Sequence, residues 1–324
     1  MNELEKVNKI IDLVKSKTSK GLTKEVLNDI NQAIKLNPDS ADLYNERGLI
    51  NSKLRQYKKA INDFTIAIQI NPELFEAYKN RGNLYSKSKK YNEAIRDFDK
   101  AIKYNPNLPG VYNNRGIAKE IIKDFDGAYK DYSKAIEINP RFASPYSNRG
   151  ILRDMRDDFE GAISDYSQAI KINSGFSSAY NNRGILFEKQ GKSERAINDF
   201  TMALKIYPKF VDAYSNRGIS YISMNEEELA LKDFEIAIKL SPKFSTPYLN
   251  RGILMKKKNN YDEAIKDFDK AIGINERFAD AYFHRGMLNL LINNKENSLK
   301  DLSKASELGN VKAKEELNHI KKES

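Results

Sequence analysis

Glycine returns along this chain every 34 residues without slippage, at Gly48, Gly82, Gly116, Gly150, Gly184, Gly218, Gly252 and Gly286. A strict period of this length means one small supersecondary unit stacked many times, because such a unit cannot bury its apolar face alone. With these glycines at position 8, the units begin at residues 41, 75, 109, 143, 177, 211, 245 and 279. Position 4 is Tyr in all eight, from Tyr44 to Tyr282; position 20 is Ala in seven and Ser298 in the eighth; position 24 is Phe, Tyr or Leu302; position 27 is always Ala. Positions 4, 8 and 11, like 20, 24 and 27, keep the i, i+4, i+7 spacing of one helix face, so each unit reads as two helices joined by a short polar turn. The small residues let the helices cross closely while the aromatics fill the space around them. Pro at position 32 (Pro72, Pro106, Pro140, Pro208, Pro242) stops the second helix and starts the next unit.

This series of aromatic, Gly, Ala, aromatic, Ala and Pro resembles the tetratricopeptide repeat over residues 41–309. The resemblance implies an all-α fold, a right-handed superhelical α-solenoid of stacked antiparallel helix pairs. Departures are local: Ser174 and Glu276 replace Pro, and position 7, usually apolar in the family, is Arg throughout. Residues 1–40 read as a degenerate N-terminal repeat or cap, with Asp29, Ala33 and Pro38 in register but Val14 and Val26 at the Gly and Ala positions. Residues 310–324 read as a C-terminal capping helix with Val311, Leu317 and Ile320 on one side.

The Arg at position 7 recurs with an Asp at position 23. The pairs are Arg47 and Asp63, Arg81 and Asp97, Arg115 and Asp131, Arg149 and Asp165, Arg183 and Asp199, Arg217 and Asp233, Arg251 and Asp267, and Arg285 and Asp301. Opposite charges recurring from the two helices of one unit predict a structural ion pair in each, in preference to a row of anion-binding arginines.

At 100° per residue, positions 2, 5, 6, 9, 12 and 13 lie opposite the face that meets the partner helix. The family resemblance implies that they line the concave groove of the superhelix. Position 6 is Asn in six consecutive units: Asn80, Asn114, Asn148, Asn182, Asn216 and Asn250. A primary amide offers a donor and an acceptor side by side, matching the C=O and N–H of an extended backbone. The row resembles the asparagine ladder in the tetratricopeptide region of O-linked N-acetylglucosamine transferase, which implies peptide binding through the backbone. Beside it, position 9 is apolar in seven units (Leu49, Ile117, Ile151, Ile185, Ile219, Ile253, Met287), a stripe able to bury side chains of a bound segment.

The expected function is therefore a protein-interaction scaffold with a protein or peptide partner. One alternative is a carboxylate clamp, by resemblance to chaperone-binding members of the family: Lys79, Asn83 and Asn114 match, but Ser144 and Asn148 stand where the last two cations should be. The other is nucleic acid, invited by a net charge of +10. The groove positions carry more acids than bases, so the basic excess lies elsewhere and nucleic acid stays the weaker alternative to a protein or peptide partner.

An enzyme, a metal and a cofactor are not expected. Cys is absent, His284 and His319 form no helical metal motif, and the glycines build no phosphate-cradling loop. The opening MNELEKVNKIIDLVKSK lacks the apolar core of a signal peptide, and no run is long enough to insert in a membrane. A soluble cytoplasmic protein is the expectation, with its oligomeric state unspecified.

Overall fold

The computed structural model describes residues 23–322; Val14 and the opening segment lie outside them. All regular structure among the described residues is helical. The chain divides into two compact units, one ending at Ile172 and the other beginning at Asn173.

The first unit opens with a helix over Thr23–Leu36 and continues with four helix pairs. Their first helices are Ala41–Lys53, Phe75–Lys87, Pro109–Ile121 and Ala143–Asp154; their second helices are Tyr57–Ile70, Tyr91–Tyr104, Phe125–Ile138 and Phe159–Ile172. The second unit repeats the plan. First helices Ser177–Lys189, Val211–Ser223, Ser245–Lys257 and Ala279–Leu291 alternate with second helices Ser193–Ile206, Glu227–Leu240, Tyr261–Ile274 and Lys295–Glu307, and Val311–Lys322 closes the series.

Position 8 must be glycine because the second helix crosses there. A Cβ on Gly116 would lie 2.6 Å from the Tyr132 ring, and one on Gly218 would lie 2.5 Å from Phe234. The Ala residues at positions 20 and 27 and the residue at position 24 are buried in every pair. The first helix buries a second face as well. Positions 3 and 10 seat on the preceding second helix, so that Leu84 packs with Ala60 and Phe64, Leu152 with Ala128 and Tyr132, and Leu254 with Ala230 and Phe234.

The turn inside each pair is a Schellman closure. In the first, the Gln56 N–H donates to the Asn51 carbonyl and the Arg55 N–H to Ser52. This closure requires a left-handed residue at position 15. Seven of the eight are not glycine: Arg55, Lys89, Lys123, Asp157, Asn225, Asn259 and Asn293 all have φ near +60°. Between pairs, Asn71, Asn105, Asn139, Asn173 and Asn275 each accept from the backbone N–H two residues on, which starts the turn where Pro follows in most units.

The ends differ from the interior. Val26 and Ile30 of the first helix are fully buried against Leu43 and Ile50. At the other end Ala313, Leu317 and Ile320 cover Phe283 and Met287, whereas Val311, expected on that face, is exposed, because two residues before Ala313 is about 200° round the helix, on its opposite side.

Candidate functional site

The pentapeptide at positions 4 to 8, written YNNRG at Tyr112 and Tyr180, contains most of the recurring polar chemistry. Its Arg makes two parallel bonds to the Asp of its own second helix, with closest contacts of 2.5 to 2.8 Å in all eight pairs. The Asp carboxylates are buried and the guanidinium groups nearly so. In Arg149, hydrogen bonding to Asp165 raises the pKa against the opposing effect of burial, so the charge is held firmly. The remaining Nη1 reaches sixteen residues back to the preceding second helix: Arg81 to Thr65 at 2.9 Å, Arg149 to Ser133 at 3.2 Å, Arg217 to Thr201 at 3.0 Å. Each Arg also lies over the Tyr three residues before it, at 5.2 Å for Tyr44 and 5.3 Å for Tyr112. One guanidinium thus ties three helices together.

The two residues between Tyr and Arg form a second network. Asn80 Nδ2 donates to Asn45 Oδ1 at 3.0 Å, Asn148 to Asn113 at 3.1 Å, Asn216 to Asn181 at 3.1 Å and Asn250 to Ser215 Oγ at 3.1 Å. Position 6 of one repeat therefore holds position 5 of the repeat before. Asn114 is the informative exception. The residue 35 before it is Lys79, which has no acceptor, and Asn114 donates instead to Asn83 Oδ1 at 3.0 Å. Asn83 is the one polar residue in the position 9 stripe.

These bonds correct one expectation of the helical wheel. Position 5 does not open into a groove: Asn45, Asn113, Asn181 and Ser215 are buried at 2 to 6% exposure. The neighbouring repeat covers them, which a wheel of one isolated helix cannot show. The ladder amides themselves remain half-buried, as do Ile151, Ile185 and Ile253, while Ile117 and Ile219 are 40% and 38% exposed. Of the residues expected in a clamp, Asn83 and Asn114 bond to each other, Lys79 is half-buried, and Asn148 is engaged with Asn113.

The position 5 acceptors and the position 25 partners of Nη1, which are the hydroxyls above and the carboxylates of Asp99 and Asp269 for Arg115 and Arg285, were not singled out from sequence. The one sequence signal is Asn83, which interrupts the apolar stripe in the repeat where Lys79 replaces the position 5 acceptor.

The last repeat breaks the network. Its position 6 is His284, which stacks on Phe268 with ring centroids 6.2 Å apart and meets Phe283 edge-on at 5.2 Å. Burial, with Lys256 nearby, lowers the His284 pKa to about 4, leaving a neutral ring at ordinary pH. Among the described residues no group of three or more His, Asp or Glu could hold a metal ion, and no helix is long and apolar enough to cross a membrane.

Family models described as tetratricopeptide repeat match residues 30–62, 75–108, 109–142, 177–210, 211–244 and 246–278, and a TPR repeat model matches 156–191. No curated protein sequence matches the chain. Among solved structures, a chain of the APC/C hetero-tetramer Cut9-Hcn1 is 15% identical with a TM-score of 0.63, the match covering 91% of this chain and 59% of that one. The pilF protein of Pseudomonas aeruginosa is 18% identical, TM-score 0.58, over 68% and 99%. A tetratricopeptide repeat protein from Parabacteroides merdae is 19% identical, TM-score 0.55, over 81% and 99%. At these identities the likeness is one of fold.

Proposed function

Since the chain belongs to the tetratricopeptide repeat family, whose members bind protein partners, we propose that it is a non-enzymatic scaffold holding an extended peptide segment along its first helices. The observation that supports this reading is the pairing of half-exposed apolar residues with amides that retain bonding capacity. In the second unit Ile185, Ile219 and Ile253 run beside Asn216 and Asn250; in the first, Ile117 and Ile151 run beside Asn114 and Asn148.

Five of the six ladder amides use one N–H on the preceding repeat, which leaves a second N–H and the carbonyl oxygen, although in Asn114 and Asn182 that oxygen already accepts one bond from the Asn before it. Packed helices lie about 8 to 10 Å apart and an extended chain advances about 3.3 Å per residue. One rung would then meet the backbone about every three residues, leaving side chains between rungs to the isoleucines. Such a grip is tolerant of sequence, so affinity comes from the apolar stripe and register from the amides.

The test is selection of a randomised decapeptide display library on the full chain, followed by affinities of the selected peptides for I151D and I219D variants. Both residues are partly exposed, so melting temperature should hold within a few degrees while affinity falls at least tenfold. Binding unchanged in both variants would move the site off this face. Free-carboxylate and amidated forms of one selected peptide should bind equally, since no cation replaces Ser144 in the clamp arrangement.

A further inference from the structure

Between the fifth and sixth repeats, on the first-helix face of the second unit, lies a cavity of about 220 Å³ lined by Ile185, Glu188, Lys189, Phe200, Asn216 and Ile219. Its walls are mostly apolar, and the ladder residue Asn216 and the acid Glu188 share the lining. Glu188 Oε1 accepts from Ser223 Oγ at 2.7 Å and from Ser193 Oγ at 3.2 Å. Its Oε2 is buried and has no hydrogen-bond partner.

An ionised carboxylate has about four acceptor sites, and a buried oxygen without a donor is costly to leave so. Both donors that reach the carboxylate are neutral hydroxyls on Oε1, and although the cation Lys189 shares the lining, no donor reaches Oε2, which is left to an approaching group. The apolar walls next to it select the form of that group: an alkyl stem for Ile185, Ile219 and Phe200, ending in a charged donor. Lys and Arg side chains have this build. Their charge-assisted bond to Oε2 would exceed what a neutral donor gains.

We propose that this cavity is the subsite for a basic side chain of the bound segment. Asn216 takes the backbone of that residue or its neighbour, the stem packs between Ile185 and Ile219, and Glu188 receives the cation. The inference rests on the groove reading above and adds to it the chemistry of the ligand: an extended segment with one Lys or Arg in fixed register to the ladder.

The same decapeptide selection tests it. Peptides enriched on the unaltered chain should carry Lys or Arg at one position, and changing that residue to Gln should weaken binding about 10- to 100-fold. Against Glu188→Gln, which keeps an oxygen for the two serines, the Lys and Gln peptides should bind within about twofold of one another. Glu188→Lys should turn the preference toward Glu at that position. Circular dichroism melts of both variants establish that they fold; should Glu188→Lys not fold, the Gln variant alone carries the comparison. Enrichment of peptides with no basic position, with Ser, Thr or Asn fixed there instead, or with a basic preference that survives Glu188→Gln would overturn the subsite while leaving peptide binding intact. Failure of any peptide to be enriched would overturn the groove reading and the subsite together.

Discussion

Repeats two, four, six and seven and the final repeat solve the same problem in opposite ways. In the former, Asn at position 6 reaches a buried Asn or Ser at position 5 of the repeat before. In the final repeat the residue 35 before position 6 is Leu249, buried and apolar, and position 6 is His284, stacked on Phe268 and edge-on to Phe283. Where the neighbour supplies an acceptor the chain writes Asn; where it supplies a hydrocarbon the chain writes a ring. The third repeat completes the argument, because with Lys79 in place of an acceptor, Asn83 appears one turn on to receive Asn114. The ladder is thus first a brace between repeats, and any hold on a peptide uses the capacity left over.

The largest effect should come from the feature common to both regions, the Arg and Asp pair. Arg149→Met leaves the buried carboxylate of Asp165 without its main partner and should cost about 3 to 5 kcal/mol, measured by urea unfolding. Arg149→Met with Asp165→Leu should cost less, since the buried carboxylate goes with its partner and the remaining loss is the 3.2 Å contact of Arg153 to Asp165. Equal losses for the single and double variants would remove the pair from the account and leave the ladder as the principal brace.

Next is the pH response of the final repeat. The folded His284 binds its proton near pH 4, below the ordinary value of about 6.5, so the unfolded chain takes up the proton first. Stability should therefore be unaffected by this group above about pH 6.5 and fall as pH drops toward 4, by roughly 2 to 3 kcal/mol in all. His284→Phe keeps the stacking and removes the titration. The difference between the two unfolding curves should vanish in pH dependence if the ring is not buried neutral.

The ladder can be broken in one region and built in the other. Asn148→Ala should cost about 1 to 2 kcal/mol, the penalty for leaving the buried Asn113 carbonyl without its donor less about 0.5 kcal/mol from the better helix propensity of Ala. A variant that melts no lower than the parent would mean that the bond is incidental and the amide exists for a ligand. Conversely, Leu249→Asn and His284→Asn should each destabilise, but less together than the sum, with a favourable coupling of about 1 kcal/mol for the new rung. Strict additivity would show that the register there cannot form it.

The smallest change sharpens the same contrast. Ser298 stands where seven repeats have Ala, and its buried hydroxyl has no partner. Ser298→Ala should raise stability by about 1 kcal/mol, visible as a small rise in melting temperature.

Much of this was legible in the sequence because it is local to one repeat. The glycines, alanines and aromatics fix which faces of two adjacent helices meet, and Arg149 with Asp165 are brought together by that crossing alone, sixteen residues apart. The Asn71 and Asn105 turns follow from chemistry two residues long. The Schellman closures were less visible, since Arg55 and Lys123 occupy left-handed positions that composition would have assigned to Gly; the closing hydrogen bonds of the turn hold them there.

The sequence by itself therefore determined the repeat, its two helices and the charge pair between them, since short-range periodicity specifies how one helix pair packs. Only the tertiary structure decided where the second face of each first helix goes. Whether Asn113 is a groove residue or a buried acceptor depends on the register in which one repeat stacks on the next. That register is set by positions 3 and 10 fitting the preceding helix, at Leu152 against Ala128 and Tyr132 for example. A hydrogen bond spanning 35 residues follows from that fit, and it has no expression in the periodicity of either helix alone.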